Sequence, residues 1–147
     1  MLKKTIKFED YNGEQRSEVY YFNLTKSELT RWNFDHPEGI ASYMKKLLKE
    51  NNYRELLRVF EDLISMSYGV PDADGLHFRK SKALVEDFEN SPAYDELFME
   101  LVNDNVKFEA FITALVPRDL AAEIKKRQAE EAKKHALDHD TETKTVE

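Results

Sequence analysis

The side chains of this sequence that come nearest to chemistry lie between residues 72 and 77. Asp72-Ala73-Asp74-Gly75 has the alternating acids and the glycine of a calcium-binding loop. Such a loop takes oxygen donors at positions 1, 3 and 5, glycine at 6 and glutamate at 12. With Gly75 at position 6, Val70 falls at position 1 and Ser81 at position 12, so the template fails and a turn is expected. His135 and His139 stand four apart, the spacing that sets two imidazoles on one side of a helix toward a metal. No further ligand set accompanies them, and their surroundings read as a solvated tail. His36 precedes Pro37 and reads as a loop residue. His77, between Leu76 and Phe78, reads as a packed turn residue, since no activating partner for general-base work is evident. The chain has no cysteine, no glycine-rich phosphate loop, no nucleophile elbow and no H-E-x-x-H sequence. Neither catalytic residues, nor a metal, nor a cofactor is expected.

The totals point the same way. A chain of 147 residues with 41% hydrophobic content is one folded domain with a core. A net charge of −7 disfavours binding to nucleic-acid phosphates and to anionic membrane surfaces. The apolar runs are too short to span a bilayer, and no secretory leader pattern follows Met1, so a cytoplasmic protein is expected.

The elements that position these residues follow from periodicity. Leu2–Phe8 alternates with Ile6 and Phe8 on one face, and Arg16–Leu24 alternates with Glu18, Tyr20, Phe22 and Leu24 on one face. Asn12-Gly13 between them predicts a β-hairpin whose two turn residues both adopt positive φ. Thr25-Lys26-Ser27-Glu28 is a capping box opening a short helix with Leu29 and Trp32. Ile40, Tyr43, Met44, Leu47 and Leu48 form a helical stripe, and after Asn51-Asn52 so do Tyr53, Leu56, Leu57, Phe60, Leu63 and Ile64. These predict a helix pair sharing one core face. Lys45, Lys46, Lys49, Arg54 and Arg58 cluster there, but Glu50, Glu55, Glu61 and Asp62 interleave, which marks a solvated face rather than a DNA-reading pair.

Ser67–Ser81 is an elbow between two helical blocks. Gly69 is expected as the left-handed stop of the preceding helix with Pro71 blocking its resumption. Asp74-Gly75 is expected as a tight turn, and Ser81 as the cap of the next helix. That helix carries Leu84, Val85 and Phe88. Ser91-Pro92 opens another, with Ser91 as cap, and its stripe is Tyr94, Leu97, Phe98, Leu101 and Val102. Phe108, Phe111, Ile112, Leu115 and Val116 form the last stripe, ended by Pro117. From Asp119 onward, oppositely charged residues four apart predict a helix that projects into water, and from about Leu137 a disordered tail. The expected fold is α+β, mainly α: an N-terminal β-hairpin packed on a helical bundle, with a projecting C-terminal helix.

Taken in order, the Asp10–Gly13 turn, Tyr21-Phe22-Asn23-Leu24-Thr25-Lys26-Ser27-Glu28-Leu29, Ser67-Tyr68-Gly69, Asp74-Gly75 with Phe78 and Lys80-Ser81, then Phe88, Ser91, Ala93-Tyr94, Leu97-Phe98, Leu101, Phe111 and Val116-Pro117 form a specific series. It resembles the tail assembly chaperones of long-tailed (siphovirus) phages of Gram-positive bacteria, over residues 4 to 118. The resemblance implies a non-enzymatic protein of the host cell cytoplasm, absent from the mature virion. It implies binding and solubilising of the tape measure protein and promotion of tail tube polymerisation around it. The implied partners are the tape measure protein, the tail tube protein and a frameshifted longer form of the chain itself. Residues 1–118 would be the chaperone domain (hairpin 2–24, helices 25–118), and 119–147 an exposed charged helix and tail. Most stripe residues fill the core, and the face expected to bind a partner lies around Tyr68, Phe78 and Phe98. The rival expectation is a structural tail tube or tail completion protein retained in the virion.

Overall fold

The computed structural model describes residues 1–115 and residues 130, 133 and 134. Residues 1–116 form one compact unit. Apart from residues 130, 133 and 134, which are helical, the expected projecting helix lies outside the described residues, as do the tail, the Pro117 stop, His135 and His139.

The N-terminal alternation gives strands β1 (Leu2–Glu9) and β2 (Gln15–Phe22), paired antiparallel in full register from Leu2 opposite Phe22 to Glu9 opposite Gln15. The connection differs from the expected two-residue turn. Asp10 and Glu14 close it around Tyr11, Asn12 and Gly13, and only Gly13 takes positive φ (84°). The Asp10 carboxylate accepts the N–H groups of Asn12 and Glu14, both at 2.9 Å, and the Gly13 N–H donates to the Asp10 carbonyl. A three-residue loop with glycine in the left-handed position results, because Asp10 satisfies the amides that a tighter turn would orient.

Helix α1 (Lys26–Asp35) starts at the predicted capping box, with the Thr25 hydroxyl accepting the Glu28 N–H and the Glu28 carboxylate accepting the Thr25 N–H. Helices α2 (Ile40–Lys49) and α3 (Tyr53–Ser67) form the predicted pair. They are separated by Asn51 in the left-handed region (φ 56°) and Asn52, whose side chain accepts the Glu55 N–H. Their stripe is narrower than expected. Tyr53 is 58% exposed, Leu48 43% and Leu57 38%, while Val59, not in the expected stripe, is buried.

The elbow corrects the sequence reading most. No left-handed glycine stops α3. The chain passes from Ser67 straight into an extended Tyr68 (φ −67°, ψ 138°) and forms strand β3 (Tyr68–Pro71). After the predicted Asp74-Gly75 turn (Gly75 φ 76°) comes the two-residue strand β4 (Phe78–Arg79). The hairpin extends to a four-stranded sheet in the order β1-β2-β3-β4, with Tyr21 opposite Gly69 and Pro71 opposite Phe78. Gly69 is there for space rather than for φ. A Cβ on it would lie 2.4 Å from Cε1 of Phe78 and 2.7 Å from the carbonyl oxygen of Arg79.

Ser81 caps α4 (Lys82–Glu89) as predicted, accepting the Leu84 N–H. Ser91 stands at the cap position of α5 (Pro92–Asn103), but its hydroxyl donates backward to the Phe88 carbonyl at 2.6 Å, so it does not cap by side chain. Asp104 receives the Val106 and Lys107 N–H groups at the start of α6 (Asn105–Leu115). With six helices within residues 1–115 beside the hairpin, the fold is α+β and mainly α. Ile6, Phe8 and Phe22 on the inner face of the sheet and Phe88, Ala93, Leu97, Leu101, Phe111 and Leu115 on α4–α6 are all buried. The Leu24 N–H donates to the Leu115 carbonyl, and Lys4, on the inner face, pairs with Glu100 of α5 at 3.2 Å.

A second clasp closes the elbow on α1. The Lys80 ammonium donates to the Asn23 carbonyl (2.6 Å) and to both Glu28 oxygens (2.7 and 2.8 Å). Burial pushes the Glu28 carboxyl up, but Lys80 and the Thr25 amide outweigh it and hold it below its ordinary value of 4.5. The unfolded chain therefore binds more protons at Glu28, so this contribution is present above pH 4.5 and is lost as pH falls through the lower, folded value. Lys80→Met is expected to flatten this acid-side loss in urea titrations at a series of pH values, and an unchanged profile would contradict the clasp. Gly69→Ala is expected to cost about 1–3 kcal/mol, since part of the obstruction is backbone, and thermal denaturation measures it.

Candidate functional site: an aromatic seam with an acidic rim

Five elements, β2, β3, α4, α5 and α6, bring aromatic rings together. Phe22, on β2, is fully buried and meets Phe111 edge-on at 5.4 Å and Phe88 at 5.7 Å. The ring of Tyr68, the first residue of β3, stacks on Phe88 at 4.4 Å and 20°. Tyr20, two residues before Phe22 and so on the same face, reaches Phe88 at 5.1 Å. Phe88 then meets Tyr94 edge-on at 5.6 Å, and Tyr94 stacks with Phe98 at 6.0 Å and 20°. Phe22 and Phe88 are buried, whereas Tyr20, Tyr68, Tyr94 and Phe98 are half-buried. The row is thus anchored in the core by Phe22 and Phe88 and open to water at Tyr20, Tyr68, Tyr94 and Phe98.

Of the three residues expected to bind a partner, Tyr68 and Phe98 therefore stand at two points of one continuous row. Phe78 packs elsewhere, over Gly69, with the Lys80 ammonium 5.7 Å from its ring centre. Phe88 and Tyr94, which join Tyr68 to Phe98, were legible only as helix-stripe residues. Their role follows from β3 lying beside β2, a contact between distant parts of the chain.

The seam carries a consistent field. The Tyr20 hydroxyl is pushed up by burial and by Glu18, Tyr68 by burial and by Asp87. Tyr94 is pushed up to about 12, by burial first and then by Glu61, Glu89 and Asp95. Carboxylates from β2, α3, α4 and α5 thus surround an apolar strip.

The turn at residues 72–77 brings one ligand atom each from Asp72, Asp74 and His77 within 4.8 Å of one another. Those atoms already serve the turn. Arg79 donates to both Asp72 oxygens at 2.8 Å, His77 Nδ1 lies 3.5 Å from Asp72, and Asp74 accepts the Leu76 N–H at 3.0 Å. His36 stacks on Trp32 at 3.9 Å beside Tyr43, a packing role, with its Nδ1 buried and without a hydrogen-bond partner.

Alkaline titration followed by tyrosinate absorbance is expected to show a native phase at about pH 12 that Tyr94→Phe removes. The native chain holds that proton more tightly than the unfolded chain, so stability falls as pH rises above 10.0, the ordinary tyrosine value. A Tyr94 phase at the ordinary value would place the ring in water.

A family model described as phage tail assembly chaperone matches residues 1–147, the whole chain. Neither a curated protein nor a solved structure matches it significantly.

Proposed function

The chain belongs to the phage tail assembly chaperone family, and from that premise we propose that it binds the tape measure protein through the aromatic seam, keeps it soluble and promotes tail tube polymerisation around it. The observation that carries this reading is the row Tyr68–Phe88–Tyr94–Phe98, in which the half-buried Tyr68, Tyr94 and Phe98 are joined through the buried Phe88, bordered by Glu61, Asp87, Glu89 and Asp95. An apolar strip with an acidic border suits an amphipathic helix whose apolar face is flanked by Lys and Arg. The chain's net charge of −7 would keep such a complex in solution. The role is binding without catalysis, exercised in the host cytoplasm, with the chain left out of the finished virion. Residues 1–118 serve as the chaperone domain, and the segment after them serves as the junction to a frameshifted longer form. A Gram-positive host follows the same resemblance.

Co-expression with the tape measure protein of the same genome, followed by solubility assay and pull-down, tests the reading. The tape measure protein is expected to become soluble and to co-elute. Tyr68→Ala and Phe98→Ala are each expected to weaken capture roughly tenfold or more, the scale of losing a central aromatic anchor. Raising the salt is expected to weaken it further. Circular dichroism of each variant separates loss of binding from loss of fold. A tape measure protein that stays insoluble beside the folded chain, together with the chain itself in purified virions, would favour a structural tail component instead.

A further inference from the structure

Strand β1 is an edge of the sheet, and the direction of its backbone groups can be derived. The Asp10 N–H donates to the Glu14 carbonyl, and on the other side of β2 the Asn23 N–H donates to the Ser67 carbonyl. Odd-numbered residues of β2 therefore turn their backbone groups toward β3, and even-numbered ones toward β1. By the register of the pair, Leu2, Lys4, Ile6 and Phe8 spend their groups on β2. Lys3, Thr5, Lys7 and Glu9 aim theirs at the open edge, where no backbone partner is present among the described residues.

A regular edge of eight residues invites pairing with another strand. Lysines commonly guard such edges, and here Lys3 and Lys7 stand on the exposed face. Their spacing, however, fits one particular partner. Consider two β1 strands antiparallel about a two-fold axis at Ile6. Lys3 then lies opposite Glu9 of the second copy, and symmetry repeats the pair. Thr5 lies opposite Lys7, and every edge-facing group of Lys3, Thr5, Lys7 and Glu9 finds a partner. Moving the axis to Thr5 puts Lys3 against Lys7 twice. Moving it to Lys7 puts that lysine against itself and leaves Lys3 unpaired. Charge and hydrogen bonding therefore select the same register, and the two lysines reject its neighbours rather than pairing as such.

We propose that the chain self-associates through β1 into an isologous dimer with one continuous sheet, in the register that sets Lys3 against Glu9 of the second copy. The two Ile6 side chains would then face each other on the inner side of the joined sheet.

Sedimentation equilibrium of the full chain tests this, with circular dichroism and melting temperature as fold controls. The wild type is expected to dimerise at concentrations of about 100 μM or below. Thr5→Pro removes an edge-facing N–H without touching the β1–β2 ladder, so it is expected to stay folded and become monomeric. Lys3→Glu and Glu9→Lys are each expected to weaken association roughly tenfold or more, and the double variant to restore it, as a direct pair requires. A wild-type chain that is monomeric at about 100 μM would overturn the proposal. A dimer indifferent to folded Thr5→Pro would overturn it too, and so would a double variant no better than either single one.

Discussion

The described fold depends on a missing side chain. At Gly69 the backbone of β3 lies against the ring of Phe78 and the carbonyl of Arg79, at distances that no Cβ could share. Because Phe78 can settle there, β4 closes against β3. Lys80, two residues beyond Phe78, then reaches the Asn23 carbonyl and the Glu28 carboxylate. Glu28 is also the return arm of the α1 capping box, so the start of α1 and the end of the elbow share one carboxylate. With β3 held beside β2, Tyr68 comes opposite Phe22 and within stacking reach of Phe88. One close backbone approach thus connects the sheet, the first helix and the aromatic row.

The aromatic row combines two tasks that packing usually separates. Its inner rings, Phe22 and Phe88, fill the space between the sheet and helices α4 and α6. Its outer rings are large and half-wet, with few rotatable bonds to immobilise, which makes aromatic side chains effective anchors for partners. The surrounding carboxylates keep the strip from acting as a plain hydrophobic patch. After burial, they raise the tyrosine hydroxyls' affinity for protons, and the same field would favour cationic residues on a ligand.

Features decided locally were legible in the sequence. The alternation of β1 and β2, the capping box at Thr25, the cap at Ser81 and Pro92 at the head of α5 rest on chemistry within a few residues. Features decided at a distance were not. Strands of four and two residues carry no readable period, and Gly69 and Pro71 resemble punctuation. Only the free edge of β2 makes a strand of Tyr68–Pro71. Leu57 and Tyr53 fit the α3 stripe by spacing, yet no element among the described residues covers them, whereas Val59 is covered. In the candidate site, Tyr68 and Phe98 could be picked out as aromatics near the elbow. That Phe88 and Tyr94 connect them, and that Phe78 packs apart from them over Gly69, depends on the β2–β3 contact. The paired acids at residues 72–74 lose their metal-like character once Arg79 is seen across Asp72, seven residues away.

The claim that the seam is the partner surface is tested most directly by amide hydrogen exchange of the chain alone and in complex with the tape measure protein. Contact there opposes local opening of the elements that carry the rings. The account predicts slower exchange across Tyr68–Pro71 and from Phe88 through Val102, with α2 unaffected. Protection confined to α2 and the start of α3, with exchange at the seam unchanged, would contradict it.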